Sequence, residues 1–513
     1  MRSRKTALYG YSLIYGLLMG LLVHIIQTSA SYESIRVGLY ALIFVLTGGL
    51  AFLLVKRLSD LSGDSKINAS RICRLIIFSG IIIRILYIIY TTIYMRQNDV
   101  LKLEESGHLG YISYVYIFGK PPVPGAGWEF TQPPLWYYLC AVWLRIGIKI
   151  TKDFDLLLES LQVLSLIFSA GIMIVCDRIA LKLKLSNRAR ITACIFGAFY
   201  PYMIFMSGAI NNDCLATFLS MMTIFYAIKW LDSLKFSHLT LTALFFGLSL
   251  FAKFSSIVLG PALALIIVMT FIKKQRTVKA AVQYIVFALI SSIIGLSWPI
   301  YSRIAYGIPI GYINSASERH VGNHPVWELL FSFNNQLNHY YLNVVEGDVN
   351  YDYNIFSTIL KSGTYGVDNF MSDNPVLRII GIILLWVNIA LALYLIVMSL
   401  VRVIKSDESA ELKLFISLTI WVSVILLYGR AIYSALTCNM ELRFMLPAFL
   451  MMILSAGLPE RTGTDIETGK ENGSRLEKVY NTGVIIMSVL SVSMWLIVLT
   501  IRDYETIRMI IGS

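Results

Sequence analysis

The sequence is poor in charge. Only 14% of its 513 residues are Asp, Glu, Lys or Arg, whereas 57% are hydrophobic. A soluble protein of this length must cover more of its surface with polar side chains, so the composition excludes a soluble globular protein. The net charge of +12 is spread over alternating loops instead of being collected on one soluble domain, which argues against a nucleic-acid-binding surface.

Cysteine and histidine are also scarce, with six residues of each. The cysteines form no CxxC pair and lie mostly in or beside apolar segments, at Cys73, Cys140, Cys176, Cys194, Cys214 and Cys438. We therefore interpret them as small packing residues and not as disulfides or metal ligands. His320 and His324 have an HxxxH spacing, but the Gly and Asn between them disfavour a helix that would present both rings to zinc.

What the sequence has in abundance is apolar runs of about 20 residues, the length that a helix needs to cross a bilayer. These runs predict an all-α polytopic membrane protein with about 13 transmembrane helices, two large extracytoplasmic loops and a juxtamembrane helix. The predicted crossings are 8–27, 37–55, 72–94, 158–177, 189–208, 213–231, 238–252, 255–272, 279–301, 376–401, 413–430, 444–457 and 482–501.

The loops between these crossings alternate in charge. The loops 56–74 and 178–190 are rich in Lys and Arg, and the positive-inside rule places them in the cytoplasm with the N-terminus. The long segments 95–157 and 302–374 then lie outside the cytoplasm. Residues 135–150 are apolar enough to cross, but a crossing there would put the basic loop 178–190 outside. We therefore predict that 135–150 form a juxtamembrane or re-entrant helix at the outer surface.

The first outer loop gathers polar side chains directly after a crossing. Asp99 follows the crossing 72–94 by a few residues, and Glu104, Glu105 and His108 come shortly after it. Near a membrane interface a carboxylate is partly desolvated, which raises its basicity toward that of a useful general base. A solvated acidic loop without chemistry is the structural alternative.

Two segments of this loop carry a family resemblance. Gly107-His108-Leu109-Gly110-Tyr111 and Gln132-Pro133-Pro134-Leu135 resemble the first external loop of the GT-C glycosyltransferases, in the branch of protein mannosyltransferases and aminoarabinose transferases. Enzymes of that family take a sugar from a polyprenyl-phosphate donor. The resemblance implies that Asp99 is the catalytic base. It also places Gln132 where some relatives carry a phosphate-binding lysine.

Three further residues lie at the outer ends of later crossings. Asp213 resembles a second acid of the family, with a helix cap as the alternative. Lys253 lies in apolar sequence, where a lipid phosphate would suit its charge and snorkelling is the alternative. Arg443 begins a segment that resembles the family's late Arg-aromatic-Leu-Pro motif and would clamp a phosphate, with an ion pair to Glu441 as the alternative. The predicted substrate-binding residues are therefore Glu105, His108, Tyr111, Gln132, Asp213, Lys253 and Arg443.

The resemblance covers most of the region from Arg71 to Leu458 and divides the chain into four parts. Residues 1–70 hold two transmembrane helices added before the core, and 71–301 form a GT-C-like catalytic core that includes the outer loop 95–157. The large extracytoplasmic loop is 302–374, and 375–513 hold the C-terminal transmembrane helices.

These residues and the resemblance predict an inverting glycosyltransferase of the plasma membrane with an extracytoplasmic active site. Its donor would be a polyprenyl-phosphate-linked sugar and its acceptor a glycan, lipid or protein. No cofactor is expected, although a divalent metal held by Asp99 and Asp213 stays open. The Ile-rich composition indicates a bacterial source. The alternatives are a transporter or flippase of sugars, which would need paired charges near the membrane midplane, and a structural subunit without activity.

Overall fold

The computed structural model describes most of the chain. The described residues are 2–28, 36–60, 65–93, 106–310, 324–333, 337, 339–343, 351–365, 375–434, 441–460 and 475–500. Within these ranges the regular secondary structure is helical, apart from one isolated β-bridge between Ser406 and Glu460. The prediction of an all-α protein is therefore confirmed.

The α-helices of the described residues are numbered in chain order. They are α1 Arg2–Thr28, α2 Arg36–Asp60, α3 Ser65–Ile89, α4 His108–Phe118, α5 Leu135–Gly147, α6 Phe154–Glu159, α7 Gln162–Lys182, α8 Asn187–Phe199, α9 Pro201–Phe205, α10 Asp213–Ser233, α11 Phe236–Ala252, α12 Gly260–Lys274, α13 Val278–Gly295, α14 Ser297–Tyr306, α15 Val326–Phe331, α16 Ile355–Thr364, α17 Pro375–Lys405, α18 Ala410–Ser417, α19 Ser423–Ser434, α20 Leu446–Ser455 and α21 Arg475–Val498. Each predicted crossing coincides with one of these helices or with neighbours joined across a short break.

Many of these helices have the length and apolar character of membrane crossings. In the part of the chain that the structure describes, nine helical segments meet both conditions, and a tenth is added if α8 and α9 form one bent crossing. Three shorter apolar helices, Gly38–Ala51, Phe236–Ala252 and Leu446–Ser455, coincide with the remaining predicted crossings. The protein is therefore a multi-pass membrane protein, and the count of about 13 crossings stays a prediction.

The bend between α8 and α9 leaves backbone carbonyls that Arg84 satisfies. Pro201 begins α9 and has no N–H to donate, and the two helices meet at 54°. Arg84 on α3 is fully buried, and its guanidinium donates to the carbonyls of Gly197 at 3.1 Å and Ala198 at 2.7 Å. It also donates to the Ser169 hydroxyl at 2.9 Å. Arg84 thus supplies hydrogen-bond donors to the backbone carbonyls at the break between α8 and α9.

The helix bundle has two chemically different ends. Lys182 at the end of α7 pairs with Asp232 near the end of α10, and Lys274 at the end of α12 lies 3.3 Å from Glu411. We call this the basic end, because the loops that follow α7 and α12 are rich in Lys and Arg. Helix α10 runs from here to the opposite end of the bundle, where it begins at Asp213. We call that opposite end the site end.

The apolar residues after Pro133-Pro134 form a separate helix, α5, which packs against α4. One face of α5 buries Trp136 and Tyr137, whereas the opposite face exposes Val142 and Ile146. With 13 residues, α5 is shorter than the crossing length of about 20 residues. It therefore does not cross a bilayer by itself, which agrees with the interpretation of 135–150.

Candidate active site

The site end contains a buried cluster of one carboxylate and two cations. Lys253 donates a hydrogen bond to Oδ1 of Asp213, and Nη1 of Arg443 lies 3.9 Å from Oδ2 of Asp213. Only 2% of the surface of Asp213 and 7% of that of Lys253 are exposed. Away from water these charges are poorly screened, so opposite charges attract one another more strongly here than at an exposed surface. A further charged group that enters this cluster would therefore interact strongly with it.

The start of α10 is bonded to the end of α11, and this contact places Lys253 beside Asp213. Nδ2 of Asn212 donates to the carbonyl of Ala252, the last residue of α11, at 2.9 Å, and to Oε1 of Gln132 at 3.2 Å. Asn212 also occupies the cap position of α10, and Asp213 is the first helical residue. Asp213 is therefore not the cap of α10, which was the alternative interpretation. Its carboxylate pairs with Lys253 instead.

Arg443 is held by a second acid and by an aromatic ring. Its Nε lies 3.1 Å from Oε2 of Glu441, and its guanidinium lies 5.1 Å from the centroid of the Phe444 ring. The ammonium of Lys253 lies 4.7 Å from the same centroid. Phe444 therefore contacts both cations of the cluster. The ion pair with Glu441, which the sequence left open as an alternative for Arg443, is present together with the contact to Asp213.

A second polar group borders this cluster at the start of α4. Nδ1 of His108 lies 2.9 Å from the hydroxyl of Tyr137, and Nε2 lies 3.9 Å from Oε2 of Glu129. Glu129 is only 7% exposed, and its backbone N–H donates to the carbonyl of Ser106 at 2.9 Å. His108 is also close enough to Asp213 for their charges to interact. A histidine and a third acid thus form a second polar group, and its histidine interacts with Asp213 of the cluster.

Tyr111 and Gln132 connect the first outer loop to α10. The ring of Tyr111 stacks on Tyr137 with centroids 3.6 Å apart, and its hydroxyl donates to the carbonyl of Gln132 at 3.2 Å. Burial raises the pKa of Tyr111 well above its ordinary value, so the phenol keeps its proton and remains a donor. The side chain of Gln132 in turn accepts the bond from Asn212.

Six of the eight predicted site residues therefore belong to one connected set of contacts. They are His108, Tyr111, Gln132, Asp213, Lys253 and Arg443. Asp99 and Glu105 lie outside the described residues. The roles assigned to all eight stay predictions. Sequence reasoning missed Glu129 as a site residue. Its position just before Gln132-Pro133-Pro134 was the available signal.

A group with metal-ligand chemistry lies on α3, α7 and α8, away from this cluster. Ligand atoms of Cys73, Asp177 and Cys194 lie within 4.8 Å of one another, and all three residues are buried. Both carboxylate oxygens of Asp177 are bound by Arg190, from Nε at 2.6 Å and from Nη2 at 3.0 Å. A metal ion would have to displace this guanidinium, so these residues fit a structural ion pair and not a metal site. Asp213, kept open as a metal ligand, likewise has a cation at each oxygen.

Comparison with known proteins gives a structural likeness. No protein-family model matches the chain, and no curated protein matches it by sequence. The crystal structure of ArnT from Cupriavidus metallidurans bound to undecaprenyl phosphate is similar to this chain, with 11% sequence identity and a TM-score of 0.36. The similarity covers 75% of this chain and 77% of that chain. At this identity the likeness concerns the course of the helices and not the residues of the site.

Proposed function

We propose that the protein is a membrane glycosyltransferase that moves a sugar from a polyprenyl-phosphate donor to an acceptor outside the cytoplasm. The observation that supports this most directly is the meeting of Lys253 and Arg443 at one buried carboxylate. A departing lipid phosphate carries negative charge, and cations fixed in a site away from water stabilise such charge best. The cluster lies at the ends of apolar helices, within reach of a head group whose tail stays in the bilayer.

The two acids beside the cations keep them in place before the donor binds. Asp213 contacts Lys253 and Arg443, and Glu441 contacts Arg443. Donors that are already oriented need no rearrangement when charge develops on the leaving group. The guanidinium of Arg443 suits two phosphate oxygens at once, whereas Lys253 offers a single compact charge.

The reaction needs one base. Asp99 removes the proton of the acceptor hydroxyl, and the acceptor oxygen attacks the anomeric carbon from the side opposite the phosphate. The bond between that carbon and the phosphate oxygen breaks with inversion, and the electron pair leaves on the lipid phosphate, beside Lys253 and Arg443. The phosphate needs no proton to depart, so one carboxylate suffices where an inverting hydrolase needs two.

We place the site on the extracytoplasmic face of the plasma membrane. The basic end of the bundle carries the loops rich in Lys and Arg, which the positive-inside rule assigns to the cytoplasm. The site end then faces outward, and the acceptor is a glycan, lipid or protein of the envelope. The donor is a polyprenyl monophosphate sugar that reaches the site from the bilayer.

The experiment uses the full chain in liposomes with polyprenyl-phosphate sugars labelled in the sugar and a mixture of envelope acceptors. Transfer of label and release of polyprenyl phosphate are measured. We expect Asp99→Asn to lower transfer by about 10²–10⁴-fold, because a general base contributes that much. Asp232→Asn at the basic end is the control and keeps full transfer. Full activity of Asp99→Asn rejects the base, and no transfer by the unaltered protein from any donor rejects the enzyme.

A transporter or flippase is less well supported. That function predicts paired charges near the middle of the bundle. Arg84 lies near the middle of the predicted crossing 72–94, and its hydrogen bonds go to carbonyls and a hydroxyl. Such contacts stabilise a bent helix and do not bind a solute. Counterflow of labelled sugar in the same liposomes separates the two functions, because an enzyme produces none.

A further inference from the structure

A second buried ionic cluster lies in the large loop between α14 and α17. Nζ of Lys361 lies 2.6 Å from Oδ1 of Asp352 and 2.9 Å from Nε2 of His339. Nε2 of His339 lies 3.1 Å from Oδ2 of Asp352. Lys361 and Asp352 have no exposed surface, and His339 is 9% exposed. Burial of titratable groups outside the predicted crossings is costly unless they satisfy one another, as Lys361 and Asp352 do.

The cluster joins three separate segments of the loop. Lys361 belongs to α16, His339 lies in 339–343, and Asp352 lies in the stretch that leads into α16. The N–H of Asp352 donates to the carbonyl of Asn343 at 2.9 Å, and the N–H of Asn343 donates to Oδ2 of Asp352 at 2.8 Å. The loop is therefore tied to α16 through side chains and main chain together.

The residues that follow Lys361 face the candidate active site. The N–H of Leu442 donates to Oγ of Ser362 at 2.9 Å, and Leu442 directly precedes Arg443. Gly363 allows the close approach, because a Cβ there would lie 2.7 Å from Cδ2 of Leu442 and 2.8 Å from the hydroxyl of Tyr200. Helix α16 thus packs between the end of α8 and the turn that contains Arg443.

We propose that Lys361, Asp352 and His339 form a lock that fixes α16 in place, and that Ser362 on this helix positions the Leu442–Arg443 turn so that Arg443 meets Asp213. Lys361 and Ser362 are positioning residues in this proposal and do not contact the substrate. Their effect on transfer rests on the proposed function, whereas their effect on the Leu442 turn does not.

The charges of this cluster predict different effects for single and double substitutions. In a buried cluster, removal of one partner strands the other charge, whereas removal of both charges leaves a neutral and foldable interior. Lys361→Met alone is therefore expected to impair folding, because Asp352 stays charged. Lys361→Met combined with Asp352→Asn removes the lock without a stranded charge and keeps an acceptor for the Asn343 N–H.

The first measurement is hydrogen exchange of the Leu442 amide in the full chain, which requires no substrate. Ser362→Ala removes its acceptor, and we expect exchange to become about tenfold faster or more, since a buried donor then lacks its partner. The double variant Lys361→Met/Asp352→Asn is expected to speed exchange of the same amide. Ser357→Ala is the matched control on α16, because Ser357 Oγ donates to the Asn354 carbonyl at 3.1 Å, at the start of the helix.

The second measurement is the dependence of transfer on donor concentration. We expect Ser362→Ala to raise the KM for the polyprenyl-phosphate sugar by about tenfold and to lower kcat as well, because Arg443 contacts the phosphate before transfer and stabilises the charge that develops on it during transfer. Unchanged exchange of the Leu442 amide in both Ser362→Ala and the double variant overturns the lock. Faster exchange with an unchanged KM overturns the link to the donor. If the unaltered protein transfers no sugar, the proposed function fails while the exchange result still decides the lock.

Discussion

Helix α10 carries an aspartate at each end, and each aspartate pairs with a lysine. At the basic end, the side chains of Asp232 and Lys182 are 64% and 31% exposed. At the site end, the side chains of Asp213 and Lys253 are 2% and 9% exposed. Each pair consists of an aspartate and a lysine, and both aspartates belong to α10. Only their surroundings differ, so any difference in behaviour must come from burial and from the neighbours of each pair.

Burial changes what an ion pair contributes. An exposed pair is screened by water and salt and typically contributes about 0–1 kcal/mol. A buried pair has lost its hydration, and an apolar pair of the same size often folds as well or better. Stability alone therefore does not explain why Asp213, Lys253 and Arg443 are charged. The charged lipid-phosphate donor of the proposed function would explain it.

The sharpest way to separate the two pairs is to neutralise each aspartate. We expect Asp213→Asn to lower the free energy of unfolding by about 3–5 kcal/mol, because Lys253 and Arg443 lose a buried counter-charge. Asp232→Asn should cost about 0–1 kcal/mol. Thermal unfolding in detergent, followed by tryptophan fluorescence, measures both. Equal losses for the two variants would show that burial does not distinguish the pairs.

The lysines test the functional side of the same comparison. Lys253→Met removes a cation from the site end, and we expect kcat/KM for the lipid-phosphate donor to fall by about 10²–10³-fold, the usual effect of removing one stabilising group. Lys182→Met should leave transfer within about twofold, since its pair is largely exposed. Transfer by Lys253→Met at the rate of the unaltered protein would remove the phosphate role from Lys253.

Arg84 extends the comparison to a buried cation with neutral hydrogen-bond partners. Arg84→Met leaves the carbonyls of Gly197 and Ala198 at the bend without this donor, and we expect a loss of about 1–3 kcal/mol in the free energy of unfolding. Arg74→Met on the same helix is the control, because Arg74 is exposed and donates to the Ser70 carbonyl on α3 itself. The same thermal assay applies. A loss as small as that of the control would mean that water replaces Arg84 at the bend.

The smallest expected effect concerns pH and the second buried cluster. Burial, opposed by Asp352, lowers the pKa of Lys361 from 10.5 to about 8. Between these two values the unfolded chain binds a proton that the folded chain does not. The contribution of Lys361 to the free energy of unfolding is therefore lowest below pH 8 and rises as the pH increases toward 10.5.

We expect this titration to appear as a difference between two melting curves. From pH 7.5 to 9.5, the melting temperature of the unaltered protein should rise by about 2–5 °C relative to that of Lys361→Met/Asp352→Asn. The double variant lacks the titrating ammonium and serves as the reference at each pH. Parallel pH profiles for the two proteins would place the pKa of Lys361 outside this window.

Sequence patterns predicted the helices better than their contacts. Apolar runs of about 20 residues predicted the crossings, because a bilayer demands about that length of a helix. Residues 135–150 were separated from the crossings by charge, because a crossing there would put the basic loop 178–190 outside. Lys253 and Asp213 stood out singly, since charge in or beside apolar sequence is rare. Their pairing was not predictable from the sequence, because the packing of α10 against α11 and the bond between Asn212 and Ala252 bring positions 213 and 253 together.

The missed residues share one feature. Glu129 lies in a loop without hydrophobic periodicity. Lys361, Asp352 and His339 come from a loop whose composition is typical of a polar surface. Nothing in their local sequence indicates that they are buried, because burial of a loop depends on what packs over it. Arg84, in the predicted crossing 72–94, is fully buried in the bundle. Its partners at the bend between α8 and α9 could not be inferred from its own crossing.

The amino-acid sequence by itself determined that this chain is helical and crosses a membrane many times, because hydropathy and length act within each segment. It also marked which end of the bundle carries the basic loops. Only the tertiary structure decided that Lys253, Arg443 and Asp213 form one site and that α16 is wedged beside it. Such contacts join segments far apart in the chain, and the forces that select them depend on distance in space and exclusion of water, which no local pattern records.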